Sequence, residues 1–341
     1  MEQSTYPNVL RVFLNGYGRV GRILAGLVHQ RRAEIARRYG VEIRLAGIGS
    51  RHGALVDLPC DAPPPADLAA DGRFHPGLVG PAAFLAAEAD VLVEATPTDI
   101  RTGGAALANI RAALINGLHV VTLTKGPLVV AFPELRATAR ERGAMLKFSG
   151  ATAAALPTAD LATYSLAGTT ITGFAGVLNG TTNFILNRMA EGADYGAALR
   201  EAQASGIAEA DPKLDVEGYD TAVKALILAN AVMDAGLTLA EVAVTGITGI
   251  APSDVAAAAT AGGRLRLVGR AERGADGRVT ITVGPETLPL SDPLAGLTGT
   301  NKGITFWTDT MGAVTVLGGG SDPQAAAAAA LKDIINVGLG R

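Results

Sequence analysis

The amino-acid sequence predicts a two-domain α/β protein whose first domain is a doubly wound parallel sheet. Its 341 residues exceed the length at which a single hydrophobic core usually stops growing. In the first half, short apolar runs alternate with longer segments of helical periodicity, which is the pattern of βαβ units. The runs VLRVFLN, DVLVEAT and LHVVTLT are apolar on both faces, as in a parallel sheet covered by helices on each side.

The predicted elements of this first domain follow in a regular order. Strands are expected at 9–15, 42–49, 90–95 and 118–124, and helices at about 19–38, 81–88, 103–116 and 133–142. The segment 59–80 is rich in proline and glycine and is predicted to be a loop, with Cys60 as an ordinary loop thiol. Ligands of such sheets bind beyond the carboxyl ends of the strands, so Asn15, Thr96 and Lys125 are expected at one crevice.

From about residue 151 the pattern becomes mixed, which predicts a second, α+β domain over 151–304. Ser321, Asp322 and Pro323 indicate the start of a last helix. The first domain is predicted over 1–150 and is expected to be completed by 305–341. Within the later part of the chain, strands are expected in TTITGFAGVLN, at 278–283, 305–309 and 313–317, and helices at 182–191, 195–205 and 219–235.

Composition limits the possible partners. A net charge of −3 without a long basic tract argues against nucleic-acid binding, which requires clustered Lys and Arg. No apolar stretch approaches the roughly 20 residues of a membrane-spanning helix, and the first residues lack the pattern of a secretion signal. A single cysteine excludes an internal disulfide. We therefore expect a cytoplasmic protein with a small-molecule ligand and no nucleic-acid or membrane partner.

A glycine loop follows the first strand directly and opens a helix at Arg19. In G-x-G-x-x-G the first glycine makes the turn, the second admits a pyrophosphate and the third lets helix pack on strand. The helix N-terminus then supplies amide donors for the phosphates. This context favours a dinucleotide site of the Rossmann type over a structural glycine turn. The residues concerned are Gly16, Tyr17, Gly18, Arg19, Val20 and Gly21.

The end of the second strand indicates which dinucleotide binds. An acidic residue there would accept hydrogen bonds from the ribose of NAD and repel a 2′-phosphate. The chain instead has Ser50, which can donate a hydrogen bond, and Arg51, which can pair with phosphate. We therefore predict NADP in preference to NAD. The alternative for Arg51 is an exposed loop charge.

Five carboxylates fall within twelve residues at 209–220, and a lysine follows them. Asp220 and Lys224 are four residues apart on a predicted helix and share one face. One interpretation is an ordinary surface ion pair, but the helix around Lys224 is almost wholly apolar, where a charge is costly without a partner. The acids before it can bind an ammonium group, which predicts an amino-acid substrate.

A polar turn lies between the strand and the helix at 177–187. Asn179, Gly180, Thr181 and Thr182 offer backbone amides and hydroxyls that can hold a carboxylate. The alternative is that a threonine there only caps the helix, and both roles are compatible.

These segments together resemble homoserine dehydrogenase, in the short form that lacks a C-terminal regulatory domain. The resemblance covers most of the chain and rests on the glycine loop, VEATPT at 93–98, VVTLTKGPL at 120–128, GVLNGTTNFIL at 176–186, EADPKLDVEGYDTAVK at 209–224 and the late TFWTDTMGAVTVLGGG. It implies the reversible NAD(P)-linked reduction of L-aspartate 4-semialdehyde to L-homoserine, a step of threonine and methionine biosynthesis. It also implies a homodimer bridged by a sheet of the central domain.

The resemblance also implies roles for individual residues. Lys125 and Lys224 match the family's active-site lysines, with Asp220 beside Lys224, and no metal ligand set is predicted. Substrate binding is expected of Glu209, Asp215, Asp220, Asn179, Gly180 and Thr181. Cofactor binding is expected of Gly16, Tyr17, Gly18, Arg19, Val20, Gly21, Ser50, Arg51, Thr96, Pro97, Lys125 and Gly319.

The chain departs from the family pattern at three places. Ser149 stands where a glutamate is usual, which argues against the family's monovalent-cation site, and Ala153–Ala155 replace a glycine run, where added methyl groups would crowd the nicotinamide. Asp322 follows the late glycine turn and would be unfavourable near a phosphate unless it caps the helix. These departures leave two alternatives: a related dehydrogenase for another small hydroxy or amino acid, and a non-catalytic nucleotide-binding paralogue.

Overall fold

A computed structural model describes residues 8–59, 62–319 and 322–341, and Cys60 therefore lies outside the described residues. The chain divides into two compact units. One comprises Met1–Ala154 with Asp322–Arg341, and the other comprises Ala155–Ser321. In the described part of the chain, no helix has both the length and the hydropathy to cross a membrane.

The first unit is built on a seven-stranded sheet. Its strands are β1 (Asn8–Asn15), β2 (Val41–Ser50), β3 (Gly53–Val56), β4 (Phe74–Pro76), β5 (Val91–Glu94), β6 (His119–Thr122) and β7 (Leu146–Lys147). The order of the strands is β4-β3-β2-β1-β5-β6-β7. The five strands β2, β1, β5, β6 and β7 are parallel, while β3 and β4 add an antiparallel edge beside β2. The predicted doubly wound sheet is confirmed.

Helices cover both faces of this sheet. They are α1 (Arg19–Tyr39), α2 (Pro81–Ala86), α3 (Gly104–Ile115), α4 (Gly126–Glu141) and α5 (Ser149–Thr152). Leu14 of β1 packs with Leu24 and Val28 of α1 on one face. Phe13 packs on the other face with Phe84 of α2 and in the core shared with α3 and α4. Because both faces are covered, consecutive strand residues are apolar, as the sequence indicated.

Two predictions in this unit need correction. The predicted loop 59–80 contains β4, which pairs with β3 at the edge of the sheet. The helix predicted from residue 133 begins at Gly126, because Pro127 is tolerated in a first helical turn. Ala131 has non-helical backbone angles (φ −141°, ψ 26°) just before Pro133, so the helix is kinked where the sequence indicated a start.

The second unit contains a six-stranded sheet in the order β13-β12-β8-β10-β11-β9. Its strands are β8 (Ile171–Val177), β9 (Ala243–Val244), β10 (Gly263–Arg273), β11 (Val279–Pro289), β12 (Lys302–Thr308) and β13 (Ala313–Gly318). Its α-helices are α6 (Thr158–Asp160), α7 (Gly180–Ala190), α8 (Tyr195–Ala204), α9 (Lys213–Val216), α10 (Tyr219–Val232) and α11 (Pro252–Thr260). The sheet is antiparallel apart from the β9–β11 pair.

The helix α10 packs on one face of this sheet through a glycine. A Cβ at Gly269 of β10 would lie 3.0 Å from Thr221 and 3.3 Å from Ala225 of α10, so the absent side chain permits close approach. No element was predicted for 263–273, although Leu265 and Leu267 alternate with arginines there. That alternation is the period-two signal of a strand.

The end of the chain is divided between the units. The strands β12 and β13 pair with each other, and β12 pairs with β8, so they belong to the second sheet. The prediction that 305–341 completes the first domain is therefore wrong for these strands. The hydrogen bonds of β12 to β8 place both strands in the second sheet, and such long-range pairing is not visible in local sequence. The terminal helix α12 (Pro323–Gly338) packs in the first unit, where Leu331 and Ile334 join the core of α1.

Candidate active site

The three glycines of the loop after β1 have different surroundings. Gly16 has φ +105°, and a Cβ there would lie 2.6 Å from the carbonyl carbon of Ala95. A Cβ at Gly21 would lie 2.1 Å from the carbonyl oxygen of Gly16. Gly18 has no atom within 4 Å of such a Cβ. The first and third glycines are thus required by packing, while the second leaves open space in front of the helix.

The helix α1 begins at this open space. Gly18 is its N-cap and provides no side-chain hydrogen bond to the first turn. Amide donors at a helix N-terminus without such a cap favour an anion, which the helix dipole also attracts. The loop therefore has the geometry that a pyrophosphate needs.

A cavity of about 750 Å³ lies over the loop. It brings together nine of the residues predicted to bind the cofactor, and Gly21 lies behind it in the contact between loop and helix. The wall also includes Arg22, His52, Asp67, Leu68 and Phe74, which the sequence analysis missed. Arg22 lies one turn beyond Arg19, which was a usable signal. His52 directly follows Arg51, whereas Asp67, Leu68 and Phe74 come from a segment whose approach to the loop depends on tertiary packing. The nine predicted residues are Gly16, Tyr17, Gly18, Arg19, Val20, Ser50, Arg51, Thr96 and Pro97.

Tyr17 and Arg22 hold one side of this cavity. The Tyr17 hydroxyl donates to the carbonyl of Pro65 at 2.7 Å, and the Arg22 guanidinium lies 4.6 Å from the Tyr17 ring centroid. Arg22 also donates to the carbonyl of Ala66. Burial raises the pKa of the Tyr17 phenol. These hydrogen bonds hold the segment 65–66, within the predicted loop 59–80, against the glycine turn.

The end of β2 carries no carboxylate. The Ser50 hydroxyl donates to the carbonyl of Gly53 at 3.0 Å and accepts from the amide of His52 at 3.2 Å, so it shapes the turn into β3. Arg51 is exposed, and its Nε lies 2.9 Å from His52 Nε2. The charges that this turn presents to the cavity are therefore basic.

Asn15, Thr96 and Lys125 follow neighbouring strands, as predicted from the parallel order. Asn15 is opposite Glu94 in the pairing of β1 with β5, and Glu94 is opposite Thr122 of β6. The Thr124 hydroxyl donates to the carbonyl of Thr96 at 2.9 Å. Lys125 is the N-cap of α4.

In the second unit, Asn179 joins two of the predicted carboxylates. Its Nδ2 donates to Asp215 Oδ1 at 2.7 Å and to Asp220 Oδ2 at 2.9 Å, while its Oδ1 accepts from the amide of Thr182 at 2.9 Å. The cap and the carboxylates fix the same amide in one orientation, because a flip would direct Oδ1 at both acids. The N-cap of α7 is thus Asn179 and not one of the threonines, and the same side chain also holds both carboxylates.

Lys224 completes this cluster from the next turn of α10. Its ammonium lies 2.5 Å from Asp220 Oδ2 and donates to the carbonyl of Leu178 at 2.8 Å. Both side chains of the ion pair are nearly buried, with 12% of Lys224 and 11% of Asp220 exposed. The interpretation as a surface ion pair is therefore wrong, since water does not screen this pair fully.

The other predicted substrate residues lie at different distances from this cluster. Gly180 and Thr181 are the first residues of α7, and the Thr181 hydroxyl donates to the carbonyl of Ile207 at 3.2 Å. Glu209 is exposed, and its backbone carbonyl accepts from Gln203. Among the described residues, the hydrogen bonds of the cluster do not include Glu209.

Two family models match the chain over almost its whole length. One described as "Homoserine dehydrogenase" matches residues 137–335, and one described as "Homoserine dehydrogenase, NAD binding domain" matches residues 16–149. An NAD(+)-dependent homoserine dehydrogenase of Pseudomonas canavaninivorans is 37% identical over 338 residues, which cover 96% of this chain and 96% of that protein. The chain belongs to the homoserine dehydrogenase family.

Solved structures support this membership. A protein of Archaeoglobus fulgidus assigned to homoserine dehydrogenase has a TM-score of 0.86 at 32% identity, and the match covers 96% of this chain and 99% of that chain. A hyperthermophilic archaeal homoserine dehydrogenase in complex with NADPH has a TM-score of 0.81 at 26% identity, with coverage of 97% and 98%. The protein is an NAD(P)-dependent oxidoreductase of the class that acts on a CH–OH group of a small molecule.

Ser149, which stands where homoserine dehydrogenases usually have a glutamate, is hydrogen-bonded to two residues of α12. Ser149 donates from its hydroxyl to Asp333 Oδ1 at 2.9 Å and from its amide to Asp333 Oδ2 at 3.0 Å, and it accepts from Lys332 Nζ at 2.8 Å. The Lys332 ammonium is itself 2.6 Å from Asp333. A monovalent cation does not fit beside Ser149, because the ammonium would repel it at short range. No group of three His, Cys, Asp or Glu in the described ranges could hold a metal ion.

The other departures affect the backbone. Ala154 has φ +52°, a left-handed conformation that suits the glycine usual in homoserine dehydrogenases. Gly319 has φ +65°, and a Cβ there would lie 2.9 Å from the amide nitrogen of Leu156. Asp322 caps α12 by accepting from the amide of Ala325 at 2.8 Å, which is the favourable alternative for this carboxylate.

Proposed function

We propose that the protein catalyses the reversible NAD(P)-linked reduction of L-aspartate 4-semialdehyde to L-homoserine. The single observation that carries the proposal is the cluster of Asn179, Asp215, Asp220 and Lys224. It combines fixed carboxylates for an ammonium group with a lysine for proton transfer. A non-catalytic paralogue would have no need for a nearly buried lysine beside these acids.

The cluster offers complementary groups for an amino-acid substrate. The carboxylate of Asp215 can bind the substrate ammonium, and exposed Glu209 adds negative charge in the same segment of chain. The first turn of α7, with Gly180 and Thr181, attracts a carboxylate through the helix dipole. Both charged ends of the amino acid therefore have a partner of opposite sign.

Lys224 is suited to serve as the proton donor. A lysine has three N–H donors, and the bonds to Asp220 and to the carbonyl of Leu178 use two of them. The third can donate to the substrate oxygen. As a hydride reaches the aldehyde carbon, the oxygen takes a proton from Lys224, and the proton returns in the reverse direction. Asp220 holds the ammonium, and Lys125 is proposed as the second active-site lysine.

The dinucleotide binds in the cavity over the glycine loop, with Lys125 and Gly319 as further predicted contacts. When bound, the nicotinamide supplies the hydride. We propose a preference for NADP, supported by Arg19 and Arg51 in the cavity wall and by the lack of an acid at the end of β2. Asp67 also lines the cavity and adds one negative charge there, and its carboxylate accepts from the amide of Ala69. The Pseudomonas relative is NAD(+)-dependent and the archaeal structure holds NADPH, so relatives of both kinds exist.

We propose a homodimer that uses the sheet of the second unit. The face opposite α10 is partly covered by the 3₁₀ turn Pro293–Gly296, whose Leu294 packs on Ala175 and Val177. Trp307 and Arg270 remain partly exposed on this face, with their side chains stacked at 5.7 Å. A sheet face with aromatic and apolar surface is stabilised by a second layer, and a second copy can provide it.

Purified protein tests the proposed reaction directly. With L-homoserine and NADP+ or NAD+, we expect absorbance of the reduced nicotinamide to appear, with the higher kcat/KM for NADP+. A panel of other small hydroxy and amino acids serves as the comparison. No turnover of homoserine with either cofactor would refute the proposal. A clearly better substrate in the panel would favour the alternative that the alanines at 153–155 suggest.

A further inference from the structure

A buried carboxylate lies directly behind the nucleotide cavity. Glu94, the last residue of β5, is fully buried. Its Oε2 accepts from Asn15 Nδ2 at 2.8 Å and from Asn109 Nδ2 at 3.1 Å. Its Oε1 accepts from the amide of Thr96 at 3.1 Å and from the Thr96 hydroxyl. Four donors from three segments of the chain therefore converge on one side chain.

These four donors determine which residue type fits at position 94. All four are neutral N–H or O–H groups, so the position demands acceptors alone, which an ionised carboxylate provides. Burial raises the pKa of Glu94, and the hydrogen bonds from Thr96, Asn15 and Asn109 oppose that shift. An apolar residue would fill the same space without the cost of burying a charge. The carboxylate is thus needed for the groups that it holds.

Two of the residues that donate to Glu94 border the cofactor cavity. Asn15 directly precedes Gly16, and Thr96 belongs to the cavity wall. This wall touches the loop, since a Cβ at Gly16 would lie 2.6 Å from Ala95 and 2.9 Å from the Thr96 nitrogen. A small displacement of the wall therefore either strikes the loop or opens a gap beside it.

The wall also connects to the next strand. The carbonyl of Thr96 accepts from the Thr124 hydroxyl, and Thr124 precedes Lys125. The amide of Lys125 in turn donates to the Thr98 hydroxyl at 3.4 Å. One buried carboxylate thus anchors the ends of β1 and β5 and, through Thr96, that of β6.

We propose that Glu94 is a positioning residue for the dinucleotide. It holds the Ala95–Pro97 wall against the glycine loop, and the pyrophosphate binds between them. Its neighbour Asn109 comes from α3 and does not line the cavity. The inference rests on the proposed cofactor site and is independent of which alcohol the enzyme oxidises.

Titration of NADPH fluorescence without substrate tests this role. We expect Glu94→Gln to raise the Kd for NADPH about tenfold, because its amide end opposes two of the donors and displaces the wall. Thr96→Val removes one donor from the wall itself and should raise the Kd in the same direction. Asn109→Ala is the matched control. It removes a donor to the same carboxylate and lowers Tm, but it should leave the Kd unchanged.

The outcomes separate a positioning role from a structural one. An unchanged Kd in Glu94→Gln would overturn the proposal, as would an Asn109→Ala protein whose Kd rises as much as that of Glu94→Gln. If Glu94→Gln does not fold, the comparison of Thr96→Val with Asn109→Ala decides in the same way. Wild-type protein that binds NADPH but does not oxidise homoserine would refute the proposed function alone.

Discussion

At the scale of single residues, the site depends on one asparagine that serves two structures. Asn179 caps α7 with its oxygen and holds Asp215 and Asp220 with its nitrogen. Asp220 then holds Lys224, one helical turn further along α10. The ammonium is held by these contacts without substrate, which is the arrangement that the proposed proton transfer requires.

Lys224→Ala should abolish most turnover. We expect kcat to fall by about 10²- to 10⁴-fold, because the proton donor is lost. The Kd for NADPH should change little, since Lys224 does not line the nucleotide cavity. Steady-state kinetics and fluorescence titration measure the two quantities. Lys213→Ala, which removes an exposed lysine from the same segment, is the control and should retain activity. A Lys224→Ala enzyme with the wild-type kcat would exclude Lys224 from the chemistry.

Arg51→Asp should move cofactor preference towards NAD. The substituted carboxylate would repel a 2′-phosphate and accept from ribose hydroxyls at the end of β2. We expect the ratio of kcat/KM for NADP+ over NAD+ to fall by about tenfold or more. Arg37→Asp makes the same charge change in the last turn of α1, far from the loop, and should leave the ratio unaltered. Equal ratios in both variants would mean that Arg51 does not bind the phosphate.

At the scale of elements, the six residues of the βα turn after β1 combine glycines that close packing requires with a glycine that leaves open space. Gly16 and Gly21 are required because backbone atoms occupy the space of a Cβ, whereas Gly18 has open space and φ −79°, which any residue adopts. The same turn thus contains two structural glycines and one whose missing side chain leaves open space at the cavity. Sequence alone identifies the motif but not this division.

Two alanine substitutions distinguish these glycines. Gly18→Ala should retain the wild-type Tm and bind NADPH about tenfold or more weakly, because its methyl group enters the space for the pyrophosphate. Gly21→Ala should lose about 1–3 kcal/mol of the free energy of unfolding or more, since its methyl group meets a backbone oxygen. Thermal and urea unfolding with fluorescence titration provide both measurements. Tight NADPH binding by Gly18→Ala would show that the pyrophosphate lies elsewhere.

At the scale of the whole molecule, we predict a homodimer through the sheet of the second unit. Light scattering should give a mass of twice the 34.6 kDa of one chain. Trp307→Glu would place a third acid beside Arg270, which already pairs with Glu272 and Glu286 on the partly exposed face, and it should shift the mass towards that of a single chain. Thr172→Glu, an equal charge change at an exposed position of β8, is the comparison. An active protein with the mass of one chain at all concentrations would contradict the dimer.

Much of the molecule was predictable because its signals are local. The glycine loop, the strands β1, β5 and β6 and the spacing of Asp220 and Lys224 follow from the periods of strand and helix. The start of α4 was missed because Pro133, at a kink, was interpreted as a helix start. No element was predicted for β10 despite its alternation, in which Arg266 is buried and donates to the carbonyls of Ala295 and Leu297.

Local sequence patterns predicted the fold class, the nucleotide loop and the shared face of Asp220 and Lys224, because each of these signals lies within a few turns of chain. Only the tertiary structure decided that β12 and β13 belong to the second sheet and that residues 67–74 form a wall of the cavity. It also decided that Lys332 occupies the surroundings of Ser149 and that Glu94 gathers four donors. Apart from the two bonds from Thr96, these hydrogen bonds join residues 15 to 184 positions apart, and no local pattern specifies which distant partner will satisfy a buried polar group.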